Sequence, residues 1–269
     1  MLGAKISSLR ELSSLARKGH GREIPRQRRK RLLDLIERYN LRQILAWRQK
    51  VYLRQCRQKR LKDPLADRLP ESSRLFVISF HKTGTRSVHK FLSELGLEGV
   101  HWPSFRNTGI DYEAILRPFV GDRARCVCIL DCLCAESAVL SDVPFPGVFR
   151  ELAESYPERK FLLMRRDAEE WWESVSRHWR LDLRPHSLDS FEAIQYGLPL
   201  GVAISSSSKA LLTDIYLRHE QDVKSYFDGS GRLLELELGC GDAGSRISAF
   251  LGLSSDSHFP SISSGSVYE

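Results

Sequence analysis

The chain has 269 residues, of which 42% are hydrophobic and 28% charged, and a formal net charge of +7. That length suits one sizeable α/β domain plus an extension, with a core that needs neither disulfides nor a structural metal. No apolar run approaches the roughly 20 residues of a membrane-spanning helix, and the N-terminus lacks the apolar stretch of a secretory signal, so the expected location is cytoplasmic.

Charge divides the chain. Residues 1–70 hold 20 Lys and Arg against 6 Asp and Glu, a net of +14 that leaves −7 for the rest. A basic arm therefore precedes a mildly acidic body. Between Pro25 and Pro64 there is no Gly or Pro, and Leu32, Leu33, Ile36, Tyr39, Ile44, Leu45, Val51 and Tyr52 recur at a helical period. Unbroken, such a helix would be a rod of roughly 55 Å. The arm either packs on the body through this stripe or offers its basic face to an acidic polymer, an anionic membrane surface or an acidic partner protein. Nucleic acid is the least favoured partner, because no aromatic-rich binding signature accompanies the charge.

After Pro70 the pattern becomes short apolar runs alternating with amphipathic stretches, the sequence form of βαβ units. Two units follow: 1–70, a basic helical N-terminal extension, and 71–269, an α/β domain with a parallel sheet flanked by helices. Strands are expected over 74–79, 139–141, 161–164 and 233–237, with a further one over 125–130. Helices are expected over 85–95, 146–156, 168–178, 206–227 and 243–251, and the Ser-rich tail from 254 reads as loop. Such sheets bind ligands at the carboxyl ends of their strands.

The six cysteines are Cys56, Cys126, Cys128, Cys132, Cys134 and Cys240, four of them in CVCILDCLC. This alternation lacks the paired spacing of a structural zinc site, and it reads as buried reduced thiols on one face of an extended or buried segment. No metal is expected.

The informative local motif is the run Arg74-Leu-Phe-Val-Ile-Ser-Phe80 followed by His81-Lys-Thr-Gly-Thr-Arg-Ser-Val88. A strand that feeds a helix through a short Gly-containing loop is a phosphate site. N–H groups of the first helical turn lack intrahelical acceptors, the helix dipole adds positive potential, and Gly84 permits close backbone approach. Lys82 adds a full charge, and Thr83, Thr85 and Ser87 add hydroxyls. The nucleoside-triphosphate form of this loop places Lys after its second Gly, whereas Lys82 precedes the only Gly here.

Lys82-Thr83-Gly84-Thr85 after a strand resembles the 5′-phosphosulfate loop of sulfotransferases that use 3′-phosphoadenosine-5′-phosphosulfate (PAPS), closer to the carbohydrate-type wording than to that of cytosolic members. Phe161-Leu-Leu-Met-Arg-Arg-Asp-Ala-Glu-Glu-Trp-Trp-Glu-Ser174 is similar to the family's second motif, in which Arg166 and Ser174, eight apart, bind the 3′-phosphate. The resemblance extends from Pro70 to Ser264. It implies a P-loop-like fold and sulfuryl transfer from PAPS to a hydroxyl or amine acceptor, a carbohydrate among the candidates. The product would be 3′,5′-adenosine bisphosphate, and Lys82, Thr83, Gly84, Thr85, Arg86, Ser87, Arg166 and Ser174 would hold the nucleotide.

Sulfuryl transfer, like phosphoryl transfer, depends on positioning and on charge stabilisation at the leaving oxygen, a role for Lys82. A base must take the acceptor's proton. Asp142, in the Asp-Val-Pro segment that stands where cytosolic members carry a His, is the first candidate and His101 the second. Two departures from the family pattern stand out: Ser87 occupies the place of the Trp that stacks on adenine, and no Arg-Lys-Gly segment completes the 3′-phosphate site near the C-terminus. An aberrant kinase-like nucleotide binder and a non-catalytic α/β binding protein are the competing readings.

Overall fold

The computed structural model describes residues 71–253 and 259–260. The helix expected in the basic arm, and with it the unit 1–70, lies outside the described residues, as does most of the tail.

The described residues contain seven short strands: β1 (Leu75–Val77), β2 (Gly99–His101), β3 (Val139–Ser141), β4 (Lys160–Arg165), β5 (His186–Ser187), β6 (Ala203–Ile204) and β7 (Leu233–Glu237). Five form one sheet in the order β2-β3-β1-β4-β7, every pair parallel, while β5 and β6 make a separate antiparallel pair. Nine α-helices are described: α1 (Thr85–Glu94), α2 (Phe105–Thr108), α3 (Tyr112–Leu116), α4 (Arg123–Glu136), α5 (Phe149–Ser155), α6 (Ala168–Trp179), α7 (Ser190–Tyr196), α8 (Lys209–Phe227) and α9 (Ala243–Leu251). The fold is the expected α/β class, a parallel sheet flanked by helices.

The alternation of strand side chains sends residues to two cores. Leu75, Val77, Val139, Leu162, Met164 and Leu236 pack on one side with Val88, Phe91 and Leu92 of α1 and Ile247 and Leu251 of α9. Phe76, Leu140, Phe161 and Leu163 pack on the other with Leu130, Phe149, Leu152 and Phe227. A third cluster, built on Phe80, Trp171, Trp179, Tyr196 and Tyr216, lies beyond the carboxyl end of β1. It backs the loop that follows that strand.

Local signals explain most boundaries. The Asp167 side chain accepts from the N–H groups of Glu169 and Glu170, both acidic and in the first turn of α6, and Arg177 and His178 lie in its last turn, each end matching the helix dipole. Asp189 and Glu192 form a capping box that starts α7.

Two sequence expectations fail. Residues 125–130 belong to α4, not to a strand: Asp122 caps the helix by accepting from the Arg125 N–H, and buried Cys126, Leu130, Leu133 and Cys134 fall on helical spacing. Residues two apart on a helix point to nearly opposite sides, so Cys126 is buried while Cys128 is exposed. Cys126 donates to the Phe119 carbonyl at 3.2 Å, and burial, with Asp122 and Glu151 adding to it, pushes its thiol up to about 12. Strand β2, which was not expected, is three residues long and begins at Gly99, where a Cβ would lie 2.1 Å from the Val139 carbonyl oxygen. Only a glycine lets that edge strand dock.

Candidate active site

Every candidate residue but Ser174 lies at the carboxyl edge of the sheet or in the turn of α1 that begins there. β1 runs into the loop 78–84, β2 ends at His101, β3 ends at Ser141 with Asp142 next, and β4 ends at Arg165 with Arg166 next. Among the described residues, four non-glycine residues have positive φ: Lys82 (68°), Trp102 (60°), Asp142 (73°) and Arg180 (55°). Arg180 merely caps α6. Of the other three, Trp102 and Asp142 directly follow β2 and β3 and Lys82 lies in the loop after β1, each in a conformation that costs about 1–2 kcal/mol for a residue with a side chain. Backbone strain collected at one edge of a sheet is characteristic of functional sites.

The loop after β1 is held through its carbonyls. The Thr83 hydroxyl donates to Phe80 O at 2.7 Å, the Trp171 indole N–H to His81 O at 3.0 Å, and Arg166 Nη1 to Lys82 O at 3.3 Å. Behind it, the Ser79 hydroxyl accepts from the Met164 N–H at 2.6 Å. With three successive carbonyls turned to protein donors, the N–H groups of Lys82, Thr83, Gly84 and Thr85 have no acceptor among the described residues. Consecutive free N–H groups around left-handed residues form an anion-binding concavity, here at the start of a ten-residue helix. Thr83 is fully buried and its hydroxyl is spent within the loop, so its contribution to an anion is the main-chain N–H. The Thr85 hydroxyl has no bond within the described protein. Gly84 has φ 95°, and a Cβ there would lie 2.7 Å from Leu238 Cδ1, at the carboxyl end of β7.

Lys82 makes no ion pair with the described residues. Burial lowers the pKa of its ammonium, Asp142 opposes that, and the guanidinium groups of Arg86, Arg166 and Arg177 reinforce it. A half-buried ammonium among three guanidiniums, beside unused N–H groups, is a donor set for a multiply charged anion. These residues fit the phosphate and phosphosulfate groups of a nucleotide.

Arg166 follows β4 directly. Its Nε faces Glu170 at 3.4 Å, its Nη1 reaches the loop, and its Nη2 has no partner among the described residues. Ser174 lies two turns along α6, buried, and no hydrogen bond joins it to Arg166. Ser87 is buried on the first turn of α1 beside half-buried Arg86.

The two candidate bases meet. His101 Nε2 faces Asp142 Oδ2 at 3.3 Å, and His101 Nδ1 lies 3.0 Å from the Ser141 hydroxyl. Asp142 Oδ1 accepts from the Val143 N–H at 2.8 Å. Burial holds the His101 pKa below its ordinary value, against the pull of Asp142 and with the help of Arg86. A carboxylate opposite Nε2 places the proton of the neutral ring there, and Nδ1 then accepts from Ser141. Both ring nitrogens are engaged, whereas Asp142 Oδ2 keeps further lone pairs.

Sequence reasoning missed Trp171, Ser141, Tyr216 and Leu238. The first lay inside a motif already quoted, as the Trp-Trp pair of α6. The others come from strands and helices whose proximity no local spacing encodes.

A family model described as a sulfotransferase domain matches residues 74–267. Among solved structures, the chain is similar to a sulfotransferase from Alicyclobacillus acidocaldarius, at 21% identity over 69% of this chain and 83% of that one, with a TM-score of 0.41. No curated protein matches it. Among the described residues, no helix is long and apolar enough to cross a membrane.

Proposed function

Because this chain belongs to the sulfotransferase domain family, we propose that it transfers a sulfuryl group from PAPS to a hydroxyl or amine acceptor. The observation that carries this reading is the loop itself: its carbonyls are turned to Thr83, Trp171 and Arg166 while four successive N–H groups and the Lys82 ammonium remain for an anion. PAPS supplies an activated sulfuryl group on a phosphate leaving group. Lys82 and the N–H groups of Thr83, Gly84 and Thr85 hold the 5′ end, with the Thr85 hydroxyl as a further donor. Arg166 offers its free Nη2 edge to the 3′-phosphate, with Ser174 as the second donor that the family motif assigns.

Lys82 offsets the charge that develops on the leaving phosphate oxygen as the bond to sulfur lengthens. Asp142 takes the acceptor's proton, and His101 orients that carboxylate through Nε2 while Ser141 fixes its ring. The carbohydrate-type wording of the loop favours a saccharide hydroxyl as acceptor.

The test uses 3′,5′-adenosine bisphosphate with a chelator present. At 100 times its dissociation constant it should stabilise the fold by about 2.7 kcal/mol. Lys82→Ala should abolish transfer of a labelled sulfuryl group while the unfolding temperature of the free protein is kept. The reading fails if millimolar nucleotide leaves the transition unmoved, or if Mg-ATP moves it further.

A further inference from the structure

Arg166 stands at the join between β4 and α6, where the sheet ladder has ended and the helix has not begun. The last ladder pair is Arg165 with Glu237, and Asp167 is already the helix cap. A residue in that position has an N–H and a C=O with no regular partner. Both go to one atom: the Arg166 N–H donates to the Tyr216 hydroxyl at 2.9 Å, and that hydroxyl donates to the Arg166 carbonyl at 2.9 Å. A single hydroxyl bonded to both main-chain groups of one residue closes a ring across it. The ring fixes the residue's φ and ψ, and hence the direction in which its side chain leaves.

Tyr216 is itself immobilised. It is 1% exposed and stacks on Trp171 at 4.4 Å and 9°, and the Trp171 indole holds the carbonyl of His81 in the phosphate loop. The phenol grips the arginine and the indole grips the loop, so the two halves of the nucleotide site share one rigid aromatic pair. A phenylalanine would fill the same space. Burying a hydroxyl is unfavourable unless it is bonded, and this hydroxyl bonds both main-chain groups of Arg166, with the Glu220 carboxylate beside it. Burial, with Glu220 adding to it, pushes the Tyr216 phenol well above its ordinary value, so it keeps its proton as donor at neutral pH.

We infer that Tyr216 is a positioning residue for recognition of the donor's 3′-phosphate: its hydroxyl holds the Arg166 backbone so that the guanidinium is aimed before the nucleotide arrives. This rests on the proposed role of Arg166, and the experiment separates the two. Affinities for 3′,5′-adenosine bisphosphate and 5′-AMP are measured by calorimetry for the wild type, Tyr216→Phe, Arg166→Ala and the double variant. The wild type should prefer the bisphosphate. Tyr216→Phe should reduce that preference by about three- to thirtyfold, the worth of one or two hydrogen bonds, with 5′-AMP affinity within about twofold. In the Arg166→Ala background the same change should do nothing further, since coupled residues are not additive.

A wild type without preference overturns the reading of Arg166, and Tyr216 falls with it. A preference that survives Tyr216→Phe, or equal weakening of both ligands, overturns the role of Tyr216 alone. Should the phenylalanine variant not fold, amide exchange on the wild type decides the matter. The Arg166 N–H should be protected in the free protein and gain little on binding the bisphosphate; exchange at a free-loop rate until ligand binds would overturn the inference.

Discussion

Lowering the pH should destabilise this fold well before its surface carboxylates are protonated. His81 and His219 are buried and His89 is partly so, and burial holds each at about 4 against an ordinary 6.5, with His101 adding to the shift at His89, Asp142 opposing it at His81 and a bond to the Ile78 carbonyl opposing it at His219. A folded-state value below the unfolded one means that the unfolded chain binds more protons between the two, so stability is fully present above pH 6.5 and is lost as pH falls toward 4. At pH 5 each histidine should have withdrawn about 2 kcal/mol. Asp189 works in the opposite direction. Burial and Glu192 raise its carboxyl to about 6, so protonating it by pH 5 returns about 1 kcal/mol. The net loss between pH 7.5 and pH 5 is then about 5 kcal/mol, a large part of the stability of an ordinary domain. Urea unfolding at pH 7.5, 6 and 5 measures it from the midpoint at constant slope. A midpoint unchanged between pH 7.5 and 5 would refute the burial argument, and His219→Gln should remove about two fifths of the dependence.

Asp142→Asn should lower sulfuryl transfer by about 10²- to 10⁴-fold, the usual worth of a general base, with bisphosphate affinity nearly unchanged, whereas His101→Gln should cost less. Initial rates at saturating donor decide the order, and a larger loss in the His101 variant would exchange the two roles. Gly84→Ala should destabilise the protein by about 1–2 kcal/mol through its positive φ, because the Leu238 Cδ1 atom it would meet at 2.7 Å ends a 37% exposed side chain that can swing aside. If adding Leu238→Ala restores full stability in urea, the steric contact and not the backbone sets the cost.

The parts of the fold that were legible are those whose physics is local. The strand over 233–237 and the helix over 243–251 appear at the expected residues, and the helix expected over 168–178 runs from Ala168 to Trp179. Each is bounded by a turn or capping residue that acts within a few positions. The run 125–130 was illegible for a definite reason. Cys-Val-Cys-Ile-Leu is apolar at nearly every position, so periodicity cannot separate a buried strand from a buried helix, and the deciding signal was Asp122 three residues before Arg125. The same kind of signal, Asp189 followed by Glu192, marks α7, which was not among the expected helices. Strand β2 had no signal of its own, because its docking depends on Val139, forty residues away.

The candidate site divides in the same way, and the division bears on how such a site is made. Residue types at 82–85 specify that an anion could bind, but they leave the peptide groups free to turn either way. The direction is imposed by three donors on the loop's carbonyls, and two of them, Trp171 and Arg166, come from the far side of β4. Tyr216 then holds Arg166 from a third segment, fifty residues on. An isolated strand-loop-helix with the same sequence would lack every one of these contacts except the Thr83 hydroxyl bond. Lys82 would still be charged, but its neighbouring N–H groups would spend much of their time turned to water. Free amides aimed before the anion arrives need no reorganisation when it does, which is the condition under which fixed dipoles stabilise a charge that develops only in the transition state. The affinity of this loop for an anion is thus a property of the folded third core cluster, and substitution of Trp171 should register in 5′-AMP binding although its side chain does not donate to the anion.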